Sequence, residues 1–569
     1  MNRPWGTGRI AAIAAGTTIA AACALVAGPP ASAEPTPPAG PATVEAGAAP
    51  VLTWAQCRDG FECSTAAAPL DYDHPRGAKI SLSVIRLPAS SPTQRIGSLL
   101  LNPGGPGGSG VDMARGLAKF LPLEVRARFD IVGFDPRGIA RSTPLRCYDT
   151  LDQALADLPP FPYPVTTAEE NQQKVADAKL AGACAGHGGS ILKHMSTADA
   201  ARDMDLLRRA FGDAQLNYLG YSYGSVLGQT YANLFPGKVR ALVIDGVLDP
   251  IAWTTGRGHQ AATTPVGARV RSDIGAQRTL GEFFRLCDEA GPNCAFAGDS
   301  SKRFAALVQR LREHPVDFVD PGTGAIVSVT EQLLIAFTLG ALYLPFVWPD
   351  AAALLADLES QASAETLGQR VAAIRAGIGA APAAQEPYPN FVEGSPGVAC
   401  SDSENPNRLS AWQRTADLTE RRHGYFGRIW TWSWSPCLPW PGGAGQDRYS
   451  GPWTARTANP VLIVGNYYDP ATRYQGAVTA ARLLPNSRLL SYAGWGHTVS
   501  FGQGNFCIDA AVTAYLVTTR PPAPGTVCQP EGSPFGPTAA AGLAPDARAA
   551  AAAAIGPTLP EPVRRAFNS

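Results

Sequence analysis

The sequence predicts an α/β fold, a mostly parallel sheet with helices on both faces, interrupted by a large, mainly helical insertion. Three observations carry this reading. Short apolar runs alternate with helical patterns between residues 80 and 245, the rhythm of a parallel sheet covered on both sides. One of those runs, Leu216-Asn217-Tyr218-Leu219, passes into Gly220-Tyr221-Ser222-Tyr223-Gly224 and then a helical pattern. From about residue 253 to 395 the periodicity is mainly helical, and a strand pattern returns only at Asn459-Pro460-Val461-Leu462-Ile463-Val464-Gly465.

Taken in order, the chain opens with a targeting signal. Arg3 and Arg9 precede an apolar stretch over 10–28, and Ala31-Ser32-Ala33 is an A-x-A cleavage site. Residues 1–33 read as a secretory signal peptide, which predicts an extracellular protein. Lipid anchoring through Cys23 is the alternative. The Pro- and Ala-rich residues 34–50 read as a flexible leader or pro-segment. No other stretch is long and apolar enough to span a bilayer. Residues 51–252 form the first part of the sheet domain. In it, Ile80-Ser81-Leu82-Ser83-Val84-Ile85 alternates like a strand and Ser98-Leu99-Leu100-Leu101 is a buried-strand run. Phe129-Asp130-Ile131-Val132 and Val239-Arg240-Ala241-Leu242-Val243-Ile244 are further strands, with helical patterns over 166–184 and 196–211. Residues 253–395 are the lid insertion, with 379–396 expected as a loop. Residues 396–530 complete the sheet domain with a strand at 487–492 and a helix near 506–518, and 531–569 are expected to be a peripheral tail.

Composition narrows the function. Lys plus Arg and Asp plus Glu both number 47 in 569 residues, and no basic stripe occurs, so nucleic acid is not an expected partner. Outside the signal segment there are ten cysteines, an even number suited to disulfides in an exported chain. Sequence neighbours are the plausible pairs: Cys57 with Cys63, Cys147 with Cys184, Cys287 with Cys294, Cys400 with Cys437, and Cys507 with Cys528. There is no Cys-x-x-Cys and the cysteines are dispersed, so a zinc site is not expected; the serine chemistry of the Ser222 motif implies no metal or redox cofactor.

Gly-x-Ser-x-Gly between a strand and a helix is the setting of a nucleophile elbow, which pushes one serine hydroxyl clear of the backbone. Serine is a weak nucleophile and needs a base, which in turn needs an orienting acid. Of seven histidines, His497 alone lies just beyond the last expected strand, in Ala493-Gly494-Trp495-Gly496-His497. The favoured acid is Asp469, after the 461–468 strand, with Thr472 expected to cap the helix that follows. The rivals are Asp245 and Asp249. Oxyanion donors are expected from the backbone N–H groups of Tyr223 and of Gly105, the latter in the loop Asn102-Pro103-Gly104-Gly105-Pro106-Gly107.

This loop, Asp135-Pro136-Arg137-Gly138, the Ser222 pentapeptide, Asp469 with Thr472, and Gly496-His497 resemble the proline iminopeptidase-related branch of the α/β-hydrolases. The likeness spans roughly residues 50–520, and is greatest to the secreted bacterial tripeptidyl aminopeptidases. Pro103 stands where the proline iminopeptidases have histidine in His-Gly-Gly-Pro-Gly, which favours the tripeptidyl group. The resemblance implies an α/β-hydrolase that releases short peptides from free N-termini of polypeptides. Alternatives are a proline-type aminopeptidase, or a carboxylesterase or lipase on the same triad. A further alternative is a non-enzymatic binding module. An exopeptidase needs an anion for the substrate ammonium, and Asp402 or Glu404 in Cys400-Ser401-Asp402-Ser403-Glu404 is the candidate. An anchor about 10 Å from Ser222 suits a tripeptide. The oligomeric state is not legible in the sequence.

Overall fold

The computed structural model describes residues 49–322, 324–378, 390–441, 447–536, 548–549, 551–552 and 556–568. The expected signal peptide with Cys23, nearly all of the leader, and residues 379–389 of the expected loop lie outside the described residues. In chain order the strands are β1 (Ala55–Gln56), β2 (Glu62–Pro69), β3 (Lys79–Leu87), β4 (Gly97–Asn102), β5 (Phe129–Phe134), β6 (Leu216–Tyr221), β7 (Val239–Asp245), β8 (Val316–Val319), β9 (Ile326–Val329), β10 (Val461–Tyr468), β11 (Ser487–Trp495) and β12 (Val527–Cys528). Ten of them form one sheet in the order β1-β2-β3-β5-β4-β6-β7-β10-β11-β12. The pairs β1–β2, β2–β3 and β3–β5 are antiparallel, and every pairing from β5 across to β12 is parallel.

The central strands read as unbroken apolar runs because both faces are buried. Alternate residues serve opposite cores. Leu99, Leu101, Leu219, Val243 and Val464 pack with residues of the helices Gly110–Leu117 and Phe506–Thr518. Leu100, Tyr218, Leu242 and Ile463 face the other way, onto the helices Thr197–Ala210 and Gly224–Leu234. Parallel pairing brings the carboxyl ends of β6, β7, β10 and β11 side by side, where a sheet of this kind binds ligands.

Between β7 and β10 lie the expected helices, among them Ser272–Ala290, Glu331–Leu342 and Trp348–Glu359, together with the antiparallel pair β8–β9. Two expectations are corrected here. First, the helical stretch does not stop at 395. Phe391–Asp402, Leu409–His423 and Gly427–Trp432 continue it, and the sheet resumes only at β10. Residues 391–396, expected as loop, begin the first of these helices, with Pro396 inside it. Nearly every residue of that helix is buried, so tertiary packing outweighs the hydrogen bond a helical proline forfeits. Second, the tail is not peripheral. Its helix Glu561–Asn568 packs against Glu331–Leu342 and Phe391–Asp402, burying Val563 and Ala566, which stand three apart on one helix face. Arg564 donates to Ser395 Oγ at 3.2 Å and lies 5.0 Å from the Phe391 ring.

All five neighbour pairs of cysteines form disulfides. Among the described residues no helix is long and apolar enough to cross a membrane.

The Asp135-Pro136-Arg137-Gly138 turn is a packing device. Arg137 is buried, gives two hydrogen bonds to Asp203 at 2.7 and 2.8 Å, and donates to the carbonyls of Pro69 and Leu70. Tyr72 donates to the same Asp203 at 2.7 Å. Arg137→Ala strands a buried carboxylate and is expected to lower stability by about 3–5 kcal/mol, read as a fall in the urea midpoint. Lys179→Ala, which removes an exposed ion pair with Asp157, should cost about 0–1 kcal/mol.

Candidate active site

Ser222 follows β6 directly and has a left-handed backbone, φ +56°. The turn is tight because its neighbours leave no room. A Cβ on Gly220 would sit 2.6 Å from Gly224 O, and one on Gly224 would sit 2.8 Å from Asn102 Oδ1. The Ser222 N–H donates to Asp245 O at 2.8 Å, tying the elbow to the end of β7. The glycine loop after β4 rests on this turn. A Cβ on Gly104, φ +90°, would lie 2.4 Å from Tyr221 O and 2.9 Å from Tyr223 N. The Gly104 N–H is held by Asn102 Oδ1 at 3.0 Å, and Gly105 lines a cavity beside the loop.

Asp469 and His497 meet at the ends of β10 and β11. Both are buried, and His497 Nδ1 lies 2.9 and 3.0 Å from the two carboxylate oxygens. The carboxylate also accepts from the Ala471 and Thr472 N–H groups at 2.8 and 2.7 Å and from Thr472 Oγ1 at 2.8 Å. Thr472 therefore serves Asp469 and does not cap the next helix as expected; that helix, Gln475–Leu483, has Tyr474 at its N-cap without a side-chain bond. The histidine loop is clamped on three sides. Asn466 Nδ2 donates to Gly496 O at 2.9 Å, the His497 N–H donates to Tyr343 O at 2.8 Å, and the Tyr343 ring stands edge-on to the imidazole at 5.0 Å. His497 Nε2 is buried and has no hydrogen-bond partner among the described residues.

The rival acids have other work. Asp245 accepts from Val499 N at 2.9 Å and Ser500 N at 2.7 Å, fixing the loop after His497, and burial pushes its carboxyl up. Asp249 caps the short helix Pro250–Trp253 and pairs with Arg257 at 2.6 Å.

Comparison with known proteins gives the family. Residues 97–270 match the family model described as alpha/beta hydrolase fold, and residues 423–528 match the one described as TAP-like protein. The chain is 30% identical to a tripeptidyl aminopeptidase of Streptomyces lividans, covering 85% of this chain and 87% of that one. It is 31% identical to the serine protease Hip1 of Mycobacterium tuberculosis (84% and 91%) and 34% identical to a protein from that organism named carboxylesterase B (87% and 95%). The chain belongs to the tripeptidyl aminopeptidase-type α/β-hydrolases. It is a serine hydrolase.

In this tripeptidyl aminopeptidase-type hydrolase the two expected amine anchors are already engaged. Asp402 is fully buried and accepts from Thr197 N at 2.8 Å, Trp253 Nε1 at 3.1 Å and the Thr197 hydroxyl. Glu404 pairs with Arg448 at 2.7 Å. Their sequence position beside a cysteine says nothing about these partners, which arrive from distant segments. The cavity beside Gly105 is instead lined by Trp432, Trp434, Asp157, Asp177 and, from the C-terminal helix, Glu561 and Arg564. The sequence reading missed the C-terminal residues; the signal available was Pro560-Glu561-Pro562 ahead of a short amphipathic run. It also missed Tyr343, whose carbonyl and ring reach His497 from the end of a helix 154 residues earlier in the chain, a contact with no local signature.

Among the described residues one group has metal-ligand spacing, His194, Asp199 and Asp447. Asp199 is paired with Arg202 at 2.7 Å and faces Arg137 at 3.6 Å, so a cation there would meet two guanidinium groups.

Gly104→Ala is expected to displace the elbow and lower kcat/KM by about 100-fold or more. Gly60→Ala, at φ +83° but with open space around it, should leave hydrolysis of p-nitrophenyl acetate within about twofold; similar losses in both would show that tight packing at Gly104 is not what matters.

Proposed function

We propose that the chain is a secreted serine exopeptidase that releases short peptides, tripeptides foremost, from free N-termini. The observation that carries the chemistry is the buried Asp469–His497 pair at the same sheet edge as the left-handed Ser222. In this reading Ser222 Oγ attacks the scissile carbonyl while His497 Nε2 takes its proton. Asp469 holds the imidazole in the Nδ1–H tautomer and offsets the imidazolium charge that forms. The N–H groups of Tyr223 and Gly105 receive the oxyanion. His497 then protonates the leaving amine, and water, deprotonated by the same histidine, releases the acyl group.

The peptide reading draws on the relatives named tripeptidyl aminopeptidase and serine protease. The cavity that Gly105 lines supports it with the aromatic walls of Trp432 and Trp434 and with the carboxylates of Asp157, Asp177 and Glu561 in the same lining, of which Asp157 also pairs with Lys179 and Asp177 accepts from Gln173. Export is supported by the five disulfides together with the signal-like N-terminus. An esterase is the second reading, favoured by the relative named carboxylesterase B.

Tripeptide anilides with free and acetylated N-termini, tested beside short acyl esters, separate the two. The exopeptidase reading expects the free tripeptide to be cleaved at least about tenfold faster than its acetylated form, a difference of about 1.4 kcal/mol. Equal rates would remove the amine anchor, and rapid ester cleavage with inert peptides would favour the esterase. Asp469→Asn should lower kcat by about 10⁴-fold without unfolding the protein, and Ser222→Ala should abolish labelling by a fluorophosphonate.

A further inference from the structure

Behind the oxyanion side of the elbow lies a buried polar relay that the mechanism above does not use. Tyr223, Thr197, Asp402 and Trp253 are each at most 4% exposed and come from four separate segments. Tyr223 follows the nucleophile. Thr197 opens the helix Thr197–Ala210, Asp402 closes Phe391–Asp402, and Trp253 closes Pro250–Trp253. The Thr197 hydroxyl stands between the Tyr223 phenol and Asp402 Oδ2, within hydrogen-bond reach of both. The Thr197 N–H and Trp253 Nε1–H complete the carboxylate's donors at 2.8 and 3.1 Å. The Trp253 ring also packs on the Tyr223 ring, with centroids 5.7 Å apart.

The directions in this chain follow from one fact: an ionised carboxylate only accepts. The Thr197 hydroxyl must give its proton to Asp402, so its lone pair faces Tyr223, and the phenol must donate to Thr197. A tyrosine held at its ring face and its hydroxyl has little freedom at its own backbone. We infer that Asp402 is a positioning residue for the oxyanion hole, acting through Thr197 to fix Tyr223 and hence the N–H that follows Ser222. This role replaces the amine-anchor role the sequence suggested for Asp402, and it rests on Ser222 being the nucleophile.

Protonation breaks the relay. A carboxylic acid that donates to Thr197 reverses the hydroxyl, which then points at the phenol oxygen and leaves the Tyr223 proton without its buried acceptor. The groups facing Asp402 are Thr197, the Trp253 indole and, through Thr197, the Tyr223 phenol, with the Arg448 guanidinium acting at longer range. Burial pushes the Asp402 carboxyl up to about 6, against the opposing pull of the Thr197 and Trp253 hydrogen bonds. Its working, ionised form is therefore lost as the pH falls through that region.

The test is steady-state hydrolysis of a short acyl ester by the full chain. Asp402→Asn and Tyr223→Phe should each lower kcat roughly 10- to 100-fold, with KM changing less than about twofold. The double variant should be no worse than the poorer single one, because both cut the same relay. The ratio of wild-type to Asp402→Asn kcat should shrink as the pH drops from about 7.5 to 5. Thr197→Ser, which keeps the hydroxyl, should retain activity that Thr197→Val loses; this pair decides the matter if Asp402→Asn does not fold. Multiplicative losses in the double variant, a KM effect without a kcat effect, or full activity in Thr197→Val would overturn the inference. Failure of the underlying reading looks different: Ser222→Ala would still turn over the ester.

Discussion

The left-handed backbone at Ser222 is the constraint on which the site depends. A non-glycine residue at φ +56° costs free energy, and the surroundings hold it there. Asn102 and Gly104 press from β4, Asp245 O takes the Ser222 N–H from β7, and Gly224 starts the following helix within contact of β4. At Gly104, Gly220 and Gly224 there is no room for an extra carbon atom. The glycines of the elbow and its facing loop are thus consequences of close packing, and the left-handed turn at Ser222 is what the packing produces.

From that point the molecule builds outward along the sheet edge. Asp245, which had seemed a rival acid, ties the loop after His497 to the strand that also anchors Ser222. The elbow after β6 and the loop after β11 are thereby both tied to Asp245, the first through its carbonyl and the second through its carboxylate. The inserted helices join the same scheme. Tyr343 at the end of Glu331–Leu342 holds the His497 N–H, and Ser395 of Phe391–Asp402 donates to Pro106 O at 2.5 Å. The insertion is a structural partner of the histidine and of the glycine loop.

The elements legible in the sequence were those whose signals are local. β4, β5, β6 and β7 are apolar on consecutive residues because both faces are buried, and that pattern needs no partner to be read. The pairing of neighbouring cysteines was also accessible, since short sequence separation limits the alternatives. What escaped were contacts made across long separations. Helix Phe391–Asp402 forms around Pro396 because burial, not propensity, decides it. The C-terminal helix finds a docking face on two inserted helices that no nearby residue announces.

Ser222, Asp469 and His497 could be proposed from the sequence alone, because each stands just past a strand and a parallel sheet brings strand ends to one edge. The sequence marked Asp402 as a candidate anchor for the substrate ammonium, but its burial and its partners were decided by tertiary structure. Thr197 and Trp253 lie 205 and 149 residues away, and a carboxylate's function follows from which donors surround it. Only the folded chain brings those donors together.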